Sequence, residues 1–359
     1  MVEGAWSDRS NRSNRSYWPN CGTRNTQRQE VSMSDIVTLG EAMIRLSPPD
    51  FHRLEQSSSF DVKVGGGEFN VAEGVARLGL SSTWVSKLPE NPLGRMVRNK
   101  AREQGVDTSH IVWSKSDRVG IYFMEFGANP RASSVLYDRA GSAVSTLSPG
   151  EVDWKAAFKG CRVFHVSGIT PALSKSCAEA TLEAVKSAKE AGAKVSFDVN
   201  YRRKLWTPEE ANACLVPMME YVDFLITTEE DTGVVFGIRE KTYQEVAVKL
   251  DELFGFEVVA ITLREDLSVL RNNWSTFAYA GGEFHESAKY FCELVDRVGA
   301  GDSFTAGFLY GYLTGDVRKG VDYGTAYSAL KHSIPGDYTW ATLDEVESLL
   351  RGGGSRIQR

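Results

Sequence analysis

The stretch "DRVGAGDSFTAGF", Asp296 to Phe308, joins a glycine turn to the start of an apolar helix. Gly299, Ala300 and Gly301 carry almost no side chain, so their N–H groups can approach a ligand at the helix N-terminus. Such amides and the positive end of the helix dipole bind anions. Asp302 adds a carboxylate, which suits a hydroxyl that must lose its proton as it attacks phosphorus. The stretch therefore predicts phosphoryl transfer, although an aspartate in the first turn of a structural helix fits the same residues.

A second glycine-rich stretch, "VGGGEFNVAEGVARLGL" at residues 64–80, also precedes a helix. Val71, Val75 and Leu78 share one face of that helix, and Asn70 can hydrogen-bond a polyol. A tight turn between a strand and a helix would need the same glycines. Neither GxGxxG nor GxxxxGK[ST] occurs in the chain, which disfavours a dinucleotide-dependent dehydrogenase and a Walker-type ATPase.

From residue 161 onward, strands alternate with helices. "CRVFHVS", "AKVSFDVN", "VDFLITT" and "EVVAITL" are typical of buried strands, and the segments between them have helical periodicity with caps such as Thr207. This alternation predicts a parallel sheet covered by helices on both faces. Ligands of such sheets bind beyond the carboxyl ends of the strands. We therefore expect Gly168, residues 198–200, Thr227 and Thr262 at the working edge.

Two segments, about 43–63 and 118–143, show short alternating strands instead. "RVGIYFMEF" and "SSVLYDRAGSA" are rich in β-branched and aromatic residues and flank the turn-forming "GANPRA". These segments predict a small β-sheet that stands apart from the main core.

Composition limits the class of protein. The 359 residues have a net charge of −6, which argues against nucleic-acid binding, and contain no apolar run long enough to cross a membrane. Five scattered cysteines without CxxC spacing indicate reduced thiols, so we expect a cytoplasmic enzyme. Residues 1–32 are rich in Ser, Arg and Asn and predict a disordered extension; residues 351–359 predict a flexible tail.

Together, and in this order, the two glycine motifs resemble the signatures of the ribokinase (PfkB) family of carbohydrate kinases. The resemblance implies an α/β fold over residues 33–350, a three-layer α/β/α sandwich with a small β-sheet lid. It implies that Asp302 is the catalytic base and that the amides of Gly299, Ala300 and Gly301 form an anion hole. It further implies ATP with Mg²⁺ as the phosphoryl donor, and lids that pair between subunits of a homo-oligomer.

The lid segment suggests which sugar is bound. Tyr137 and Arg139 lie two residues apart, so a strand would point both toward the same ligand, and Arg202 follows a core strand. Arginines pair with carboxylates in a bidentate fork, which favours a sugar acid, although each could be a solvated charge. "YxR", "DxNYRxxLW" and "ALKHSIPGD" resemble 2-keto-3-deoxygluconate kinases. That resemblance assigns the substrate to Gly66, Gly67, Asn70, Tyr122, Tyr137, Arg139, Arg202, Asp302 and Asp337.

The nucleotide side departs from the family pattern. "TTEED", residues 227–231, has Glu230 where the family has a glutamate of the Mg²⁺ water shell, yet an acidic helix start would look the same. The expected nucleotide loop at residues 264–267 lacks its usual glycines. We expect the nucleotide near Asn200, Arg202, Thr227, Thr262, Arg264, Gly299 and Gly301. Two alternatives stay open: a fructokinase or another ribokinase-like sugar kinase, and a sugar-binding sensor with weak catalysis.

Overall fold

The structure, a computed structural model, describes Met1 and residues 33–353. In that part of the chain the strands are β1 Ile36–Leu39, β2 Met43–Ser47, β3 Asp61–Gly65, β4 Ser82–Val85, β5 Lys87–Pro89, β6 Val112–Ser114, β7 Ile121–Glu125, β8 Ser134–Asp138, β9 Val163–Ser167, β10 Lys194–Asp198, β11 Phe224–Thr227, β12 Val258–Ser268, β13 Arg271–Ala280, β14 Glu283–Glu286 and β15 Tyr290–Glu293. The helices are α1 Gly67–Arg77, α2 Pro92–Glu103, α3 Trp154–Ala157, α4 Ile169–Ala172, α5 Lys175–Glu190, α6 Pro208–Met219, α7 Glu229–Val235, α8 Tyr243–Phe254, α9 Ala300–Thr314, α10 Val317–His332 and α11 Leu343–Leu350.

The main sheet is built from the predicted alternation of strands and helices. Its strand order is β4-β1-β9-β10-β11-β12-β13-β14, and β15 also pairs with β13. The pairings from β4 to β12 are parallel, as predicted, whereas β13, β14 and β15 pair antiparallel. The four strands on which the prediction rested, β9 to β12, all pair parallel, and the antiparallel strands β13 to β15 follow them in the chain.

Side chains of the central strands alternate between two cores. On β11, Phe224 and Ile226 face the core shared with α1, α9, α10 and α11, and Leu225 faces the core shared with α5, α6 and α8. Helices thus cover both faces of the sheet, and the predicted three-layer α/β/α architecture is confirmed.

The two segments with short strands form a separate four-stranded sheet of order β3-β2-β7-β8. β2 pairs parallel with β7, with Ile44 opposite Ile121, and β8 pairs antiparallel with β7, with Tyr137 opposite Tyr122. This sheet, called the lid below, matches the segments predicted at residues 43–63 and 118–143.

Residues 264–267 are not a loop. β12 continues through Arg264 to Ser268 and pairs antiparallel with β13, where Arg264 lies opposite Trp274. A ladder of backbone hydrogen bonds needs no glycine, so the missing glycines reflect a long β-hairpin where a nucleotide loop was expected.

Two glycines four residues apart on α9, Gly307 and Gly311, let α10 pack closely. A Cβ on Gly307 would lie 2.8 Å from the Gly324 Cα atom, and a Cβ on Gly311 would lie 2.5 Å from the Lys319 carbonyl oxygen. This contact holds α9, and with it the Gly299 turn, against the rest of the core.

Some of the remaining predictions concern the two ends of the chain, which lie mostly outside the described residues. The disordered extension, apart from Met1, and most of the tail at 351–359 lie outside them. Between residues 33 and 353, no helix combines the length and apolar content of a membrane span. The four cysteines of this region, Cys161, Cys177, Cys214 and Cys292, are free. The homo-oligomer stays a prediction.

Gly311→Ala is expected to lower the free energy of unfolding by about 1–3 kcal/mol, because the added methyl overpacks the contact between α9 and α10. Denaturant unfolding measures the change. Thr314→Ala, at the exposed end of the same helix, is the control and should stay within about 0.5 kcal/mol of the parent. Equal stability of the parent and Gly311→Ala would contradict this packing.

Candidate active site

The Gly299 turn is shaped by a backbone contact that excludes a side chain. Gly299 has a φ of 81°, in the left-handed region that favours glycine, and immediately precedes α9. A Cβ here would lie 1.5 Å from the Asp337 carbonyl oxygen. Gly301, by contrast, has open space where its Cβ would be. The turn therefore leaves room for a ligand at the N-terminus of α9.

The amides of this turn differ from one another. The Ala300 N–H donates a long hydrogen bond of 3.4 Å to the Arg297 carbonyl oxygen, so the prediction of three nearly bare N–H groups was too simple. First-turn amides of a helix have no intrahelical acceptor, which keeps this end electropositive. The glycine amides and the helix dipole are therefore the main groups at this end of α9 that a bound anion would meet.

The second glycine motif meets the first. A Cβ on Gly66 would lie 1.9 Å from the Glu41 carbonyl oxygen, whereas one on Gly67 would lie 3.7 Å from Asp302 Oδ1. Asn70, on the first turn of α1, donates a hydrogen bond of 2.6 Å from Nδ2 to Asp302 Oδ2. The N-terminal turns of α1 and α9 thus converge on the Asp302 carboxyl.

The environment of Asp302 favours its protonated form. Burial raises the pKa of Asp302 to about 7, and nearby Glu68 and Asp337 add to the rise, while the Asn70 hydrogen bond and Arg202 oppose it. Burial and the charge of Asp302 likewise raise the pKa of Asp198 well above its usual range. A carboxyl with such a pKa can accept a proton near neutral pH and is therefore a candidate general base.

One cleft of about 860 Å³ contains all the residues that the sequence analysis proposed for the site. They are Gly66, Gly67, Asn70, Tyr122, Tyr137, Arg139, Asn200, Arg202, Thr227, Glu230, Thr262, Arg264, Gly299, Ala300, Gly301, Asp302 and Asp337. Gly168, which was also expected at this edge, is not part of the cleft lining. It packs against the Val199 backbone, and a Cβ added at Gly168 would lie 2.3 Å from the Val199 carbonyl oxygen. The cleft lies between the lid and the carboxyl edge of the parallel strands.

On the lid side, Tyr137 and Arg139 both line the cleft, as their spacing predicts. Arg139 forms an ion pair with Glu41, whose side chain is only 4% exposed. Among the described residues, none hydrogen-bonds Arg139 Nε or Glu41 Oε1, although both atoms are buried. The pairing cancels much of the Arg139 charge before any ligand binds.

Tyr122 and Asp337 are held by each other. The Tyr122 hydroxyl donates to Asp337 Oδ2, and Arg45 donates to Asp337 Oδ1 at 2.8 Å. Both Tyr122 and Asp337 are buried at the wall of the cleft. Their polar groups therefore stabilise the junction of lid and core as well as bordering the cleft.

On the side of the cleft where the sequence analysis expects the nucleotide, several polar groups are more exposed. Thr228 caps α7 by accepting from the Asp231 N–H at 3.1 Å, and Glu230, in the first turn of that helix, is an exposed residue of the cleft lining. Arg264 lies on β12 and pairs with Asp266 at 3.4 Å. Asn200, with a φ of 39°, ends the turn after β10.

Metal ligands are sparse. Over the described ranges, no group of three or more His, Cys, Asp or Glu side chains is arranged to hold a metal ion. Protein side chains commonly supply one or two carboxylates to Mg²⁺, and phosphates and water supply the rest. The exposed Glu230 carboxylate fits that partial role.

Sequence reasoning missed several residues of the site. Glu68 is buried and accepts hydrogen bonds from Ser167 and Thr170, while Asp231 lines the cleft near Asp198, which the sequence analysis had placed at the working edge. Glu68 lies in the glycine-rich stretch at residues 64–80, and Asp231 lies in "TTEED". Their places within these motifs could have marked them as site residues. Glu41 gave no such signal, because its partner Arg139 is 98 residues away.

Residues 33–342 match the pfkB family carbohydrate kinase, and the chain belongs to that family. It is 39% identical over 327 residues to the 2-dehydro-3-deoxygalactonokinase of Haloferax volcanii, covering 91% of this chain and 99% of the relative. It is 32% identical over 332 residues to the 5-dehydro-2-deoxygluconokinase of Shouchella clausii, covering 90% and 98%. The crystal structure of 2-dehydro-3-deoxygluconokinase from Thermotoga maritima is similar with a TM-score of 0.87 at 45% identity, covering 89% and 99%.

Asp302→Asn is expected to raise the free energy of unfolding at about pH 8 by roughly 1–2 kcal/mol, because a buried carboxylate with a raised pKa is costly once ionised. Solvent in the cleft screens the Asp302 charge, so the gain in the free energy of unfolding is smaller than the full pKa shift would give. The gain is largest above a pH of about 7 and declines as the pH falls through that value. Urea denaturation at about pH 8 and pH 5 measures both values.

Asp138→Asn is the matched control for this substitution. The Asp138 carboxylate is exposed and paired with Arg118, which lowers its pKa, so its replacement should bring no gain at either pH. A gain for Asp302→Asn that is equal at the two pH values would contradict the raised pKa.

Proposed function

We propose that this kinase transfers the γ-phosphoryl group of ATP to the terminal primary hydroxyl of a sugar acid, 2-keto-3-deoxy-D-gluconate, giving its 6-phosphate. The observation that carries the proposal is the meeting of Asp302, Asn70 and the Gly299 turn in one cleft with Arg139 and Arg202. The relatives support the substrate class, since each is named for a keto-deoxy sugar acid. Free cysteines in the described region favour the cytoplasm as the compartment.

Asp302 is the proposed general base. With a pKa of about 7 it is substantially ionised at neutral pH, and it can accept the hydroxyl proton as the oxygen bonds to phosphorus. The Asn70 amide, which donates to Oδ2, fixes the carboxyl and leaves Oδ1 facing Gly67 and the cleft. Gly67 is suited to this position because it keeps the space before Oδ1 clear of a side chain.

The Gly299 turn fits the phosphate end of ATP, which supplies the phosphoryl group when bound. Amides of Gly299 and Gly301 at the N-terminus of α9 would stabilise the charge of that group. Arg264 and Arg297, which share the Asp266 carboxylate, and Lys289, which pairs with Glu265, also line the cleft and would turn toward a bound phosphate. Glu230 would hold Mg²⁺ through its water shell.

The lid side of the cleft would bind the acidic end of the sugar. Arg202 is exposed at the end of the turn after β10, and the Arg139 guanidinium stacks over the Tyr137 ring at 5.6 Å. Guanidinium groups pair with carboxylates through parallel N–H donors. Closure of the lid over the sugar would exclude water, which otherwise accepts the phosphoryl group.

One observation favours the alternative of a neutral-sugar kinase such as a fructokinase. Glu41 neutralises Arg139, so the lid side of the cleft is less positive than the sequence suggests. Arg202 then supplies the charge that distinguishes an acid from a neutral hexose. The second alternative, a sensor with weak catalysis, predicts sugar binding without phosphorylated product.

Replacing the pair at Glu41 and Arg139 separates the sugar-acid and neutral-sugar readings. The double variant Arg139→Met with Glu41→Gln removes the guanidinium and also the buried Glu41 carboxylate, so no buried charge is left unpaired. We expect kcat/KM for 2-keto-3-deoxygluconate to fall roughly 10- to 100-fold, the value of a charged hydrogen bond, with turnover of neutral hexoses unchanged. A coupled ADP-release assay over keto-deoxy acids and neutral sugars measures both.

Arg118→Met, which removes an exposed ion pair of the lid, should leave both rates at the parent level. Equal losses on acids and neutral sugars, or a parent enzyme that prefers neutral hexoses, would contradict the sugar-acid assignment.

Asp302→Asn is expected to reduce kcat by about 10²- to 10⁴-fold while sugar and ATP still bind, because the general base is lost. In the parent enzyme, kcat/KM should rise with pH through a value of about 7, as the Asp302 carboxyl loses its proton. Arg202→Met should shift this rise in kcat/KM to higher pH, because Arg202 lowers the pKa of Asp302.

The pH profile of kcat/KM and the single-turnover rate give these quantities. Turnover that survives Asp302→Asn would favour another base, and the absence of product from the parent with every sugar would favour the sensor.

A further inference from the structure

Arg45 is a fully buried arginine on lid strand β2. Its Nη2 donates to Asp296 Oδ2 at 2.7 Å, its Nη1 donates to Asp337 Oδ1 at 2.8 Å, and its Nε donates to Ser47 Oγ at 3.0 Å. Arg45 and both carboxylates are at most 3% exposed. All three donor nitrogens of the guanidinium therefore have a fixed acceptor, and the group is closed off from solvent.

The two carboxylates connect Arg45 to the Gly299 turn by separate routes. Asp296 Oδ1 accepts from the Val298 N–H at 3.1 Å, one residue before Gly299. The Asp337 carbonyl oxygen occupies the space where a Gly299 Cβ would be. Asp296 Oδ2 also accepts from the Gly336 N–H at 2.9 Å, which ties the two routes together.

A second strand of the lid reaches the same network. Tyr122 on β7 donates to Asp337 Oδ2, while Lys331 Nζ on α10 donates to the Asp296 carbonyl oxygen at 3.0 Å. Buried charges are tolerated only with full hydrogen bonding and good geometry, so such a network permits little displacement of its members. The position of the lid strands is thereby linked to the position of the turn.

We propose that Arg45 is a positioning residue for phosphoryl transfer: through Asp296 and Asp337 it holds the Gly299 turn and Asp302 in register with the lid. The inference rests on the proposed function for what the turn does, but not for how the turn is held. Arg45 lies outside the residues that would touch the sugar or ATP, so its effect is on the rate of transfer and not on sugar binding. Small displacements of a reacting group are costly, since about 1 Å can reduce a rate 10²-fold.

Arg45→Lys tests the proposal. The variant keeps a buried positive charge, but an ammonium on a flexible stem lacks the planar fork that engages both carboxylates and Ser47. We expect kcat to fall roughly 10- to 100-fold while KM for the sugar changes less than about twofold. Arg53→Lys is the control: Arg53 also pairs with a carboxylate, Glu125, but this pair lies within the lid and the Arg53 side chain is 55% exposed, so kcat should be unchanged.

Hydrogen–deuterium exchange gives a readout that needs no substrate. Exchange of the amides at residues 296–303 should accelerate in Arg45→Lys and stay at the parent level in Arg53→Lys. If no panel sugar is phosphorylated by the parent, the proposed function fails while exchange still decides whether Arg45 holds the turn.

If Arg45→Lys does not fold, Asp296→Asn is the second variant for the same test, and it should show the same selective loss of kcat. A folded Arg45→Lys or Asp296→Asn with parent kcat and parent exchange at 296–303 would overturn the proposal. A loss of kcat matched by an equal loss in Arg53→Lys would also overturn it, because the effect would then be general to the lid.

Discussion

The site depends on one close approach, in which the first turns of α1 and α9 meet through the hydrogen bond between Asn70 and Asp302. The approach is possible because two positions lack a Cβ. Gly66 lies against the Glu41 carbonyl oxygen and Gly299 against that of Asp337. A larger residue would clash with the Glu41 backbone at the first position and with the Asp337 backbone at the second, so either helix start would have to leave its observed place. Residues about 230 positions apart in the chain are thus joined into one cleft, and the same constraint explains why both motifs are rich in glycine.

Charge in the cleft is balanced between carboxylates and guanidinium groups. Asp198, Asp231 and Asp302 lie near one another, and burial raises the pKa of Asp231 to about 6 and that of Asp302 to about 7. Arg202 lowers the pKa of all three carboxyls. An enzyme that transfers a phosphoryl group needs positive charge near phosphate and a proton acceptor near the hydroxyl. The cleft offers both kinds of group: Arg264 and Arg297 line it, and the Asp302 carboxyl belongs to the first turn of α9, the positive end of that helix dipole.

Much of the fold could be predicted from local sequence, because caps and periodicity act over a few residues. Thr207 and Pro208 begin α6 as expected, and the lid strands lie in the predicted segments. Residues 264–267 were misjudged as a loop, since exposed charged residues in a hairpin resemble loop composition. Sequence analysis did not single out Arg45 in "MIRLS", because its partners Asp296 and Asp337 are 251 and 292 residues away. The sequence thus led to a hypothesis about the chemistry of the turn, whereas the contacts that hold the turn required the structure.

The central claim is that a sugar hydroxyl and the terminal phosphate of ATP meet between the Asp302 carboxyl and the amides of the Gly299 turn. A crystal structure of the enzyme with 2-keto-3-deoxygluconate and a non-hydrolysable ATP analogue tests it most directly. We expect the primary hydroxyl at about 3 Å from the Asp302 carboxyl, with the γ-phosphate against the Gly299 and Gly301 amides. A ternary complex with the hydroxyl turned away from Asp302, or with the γ-phosphate bound elsewhere, would contradict the account.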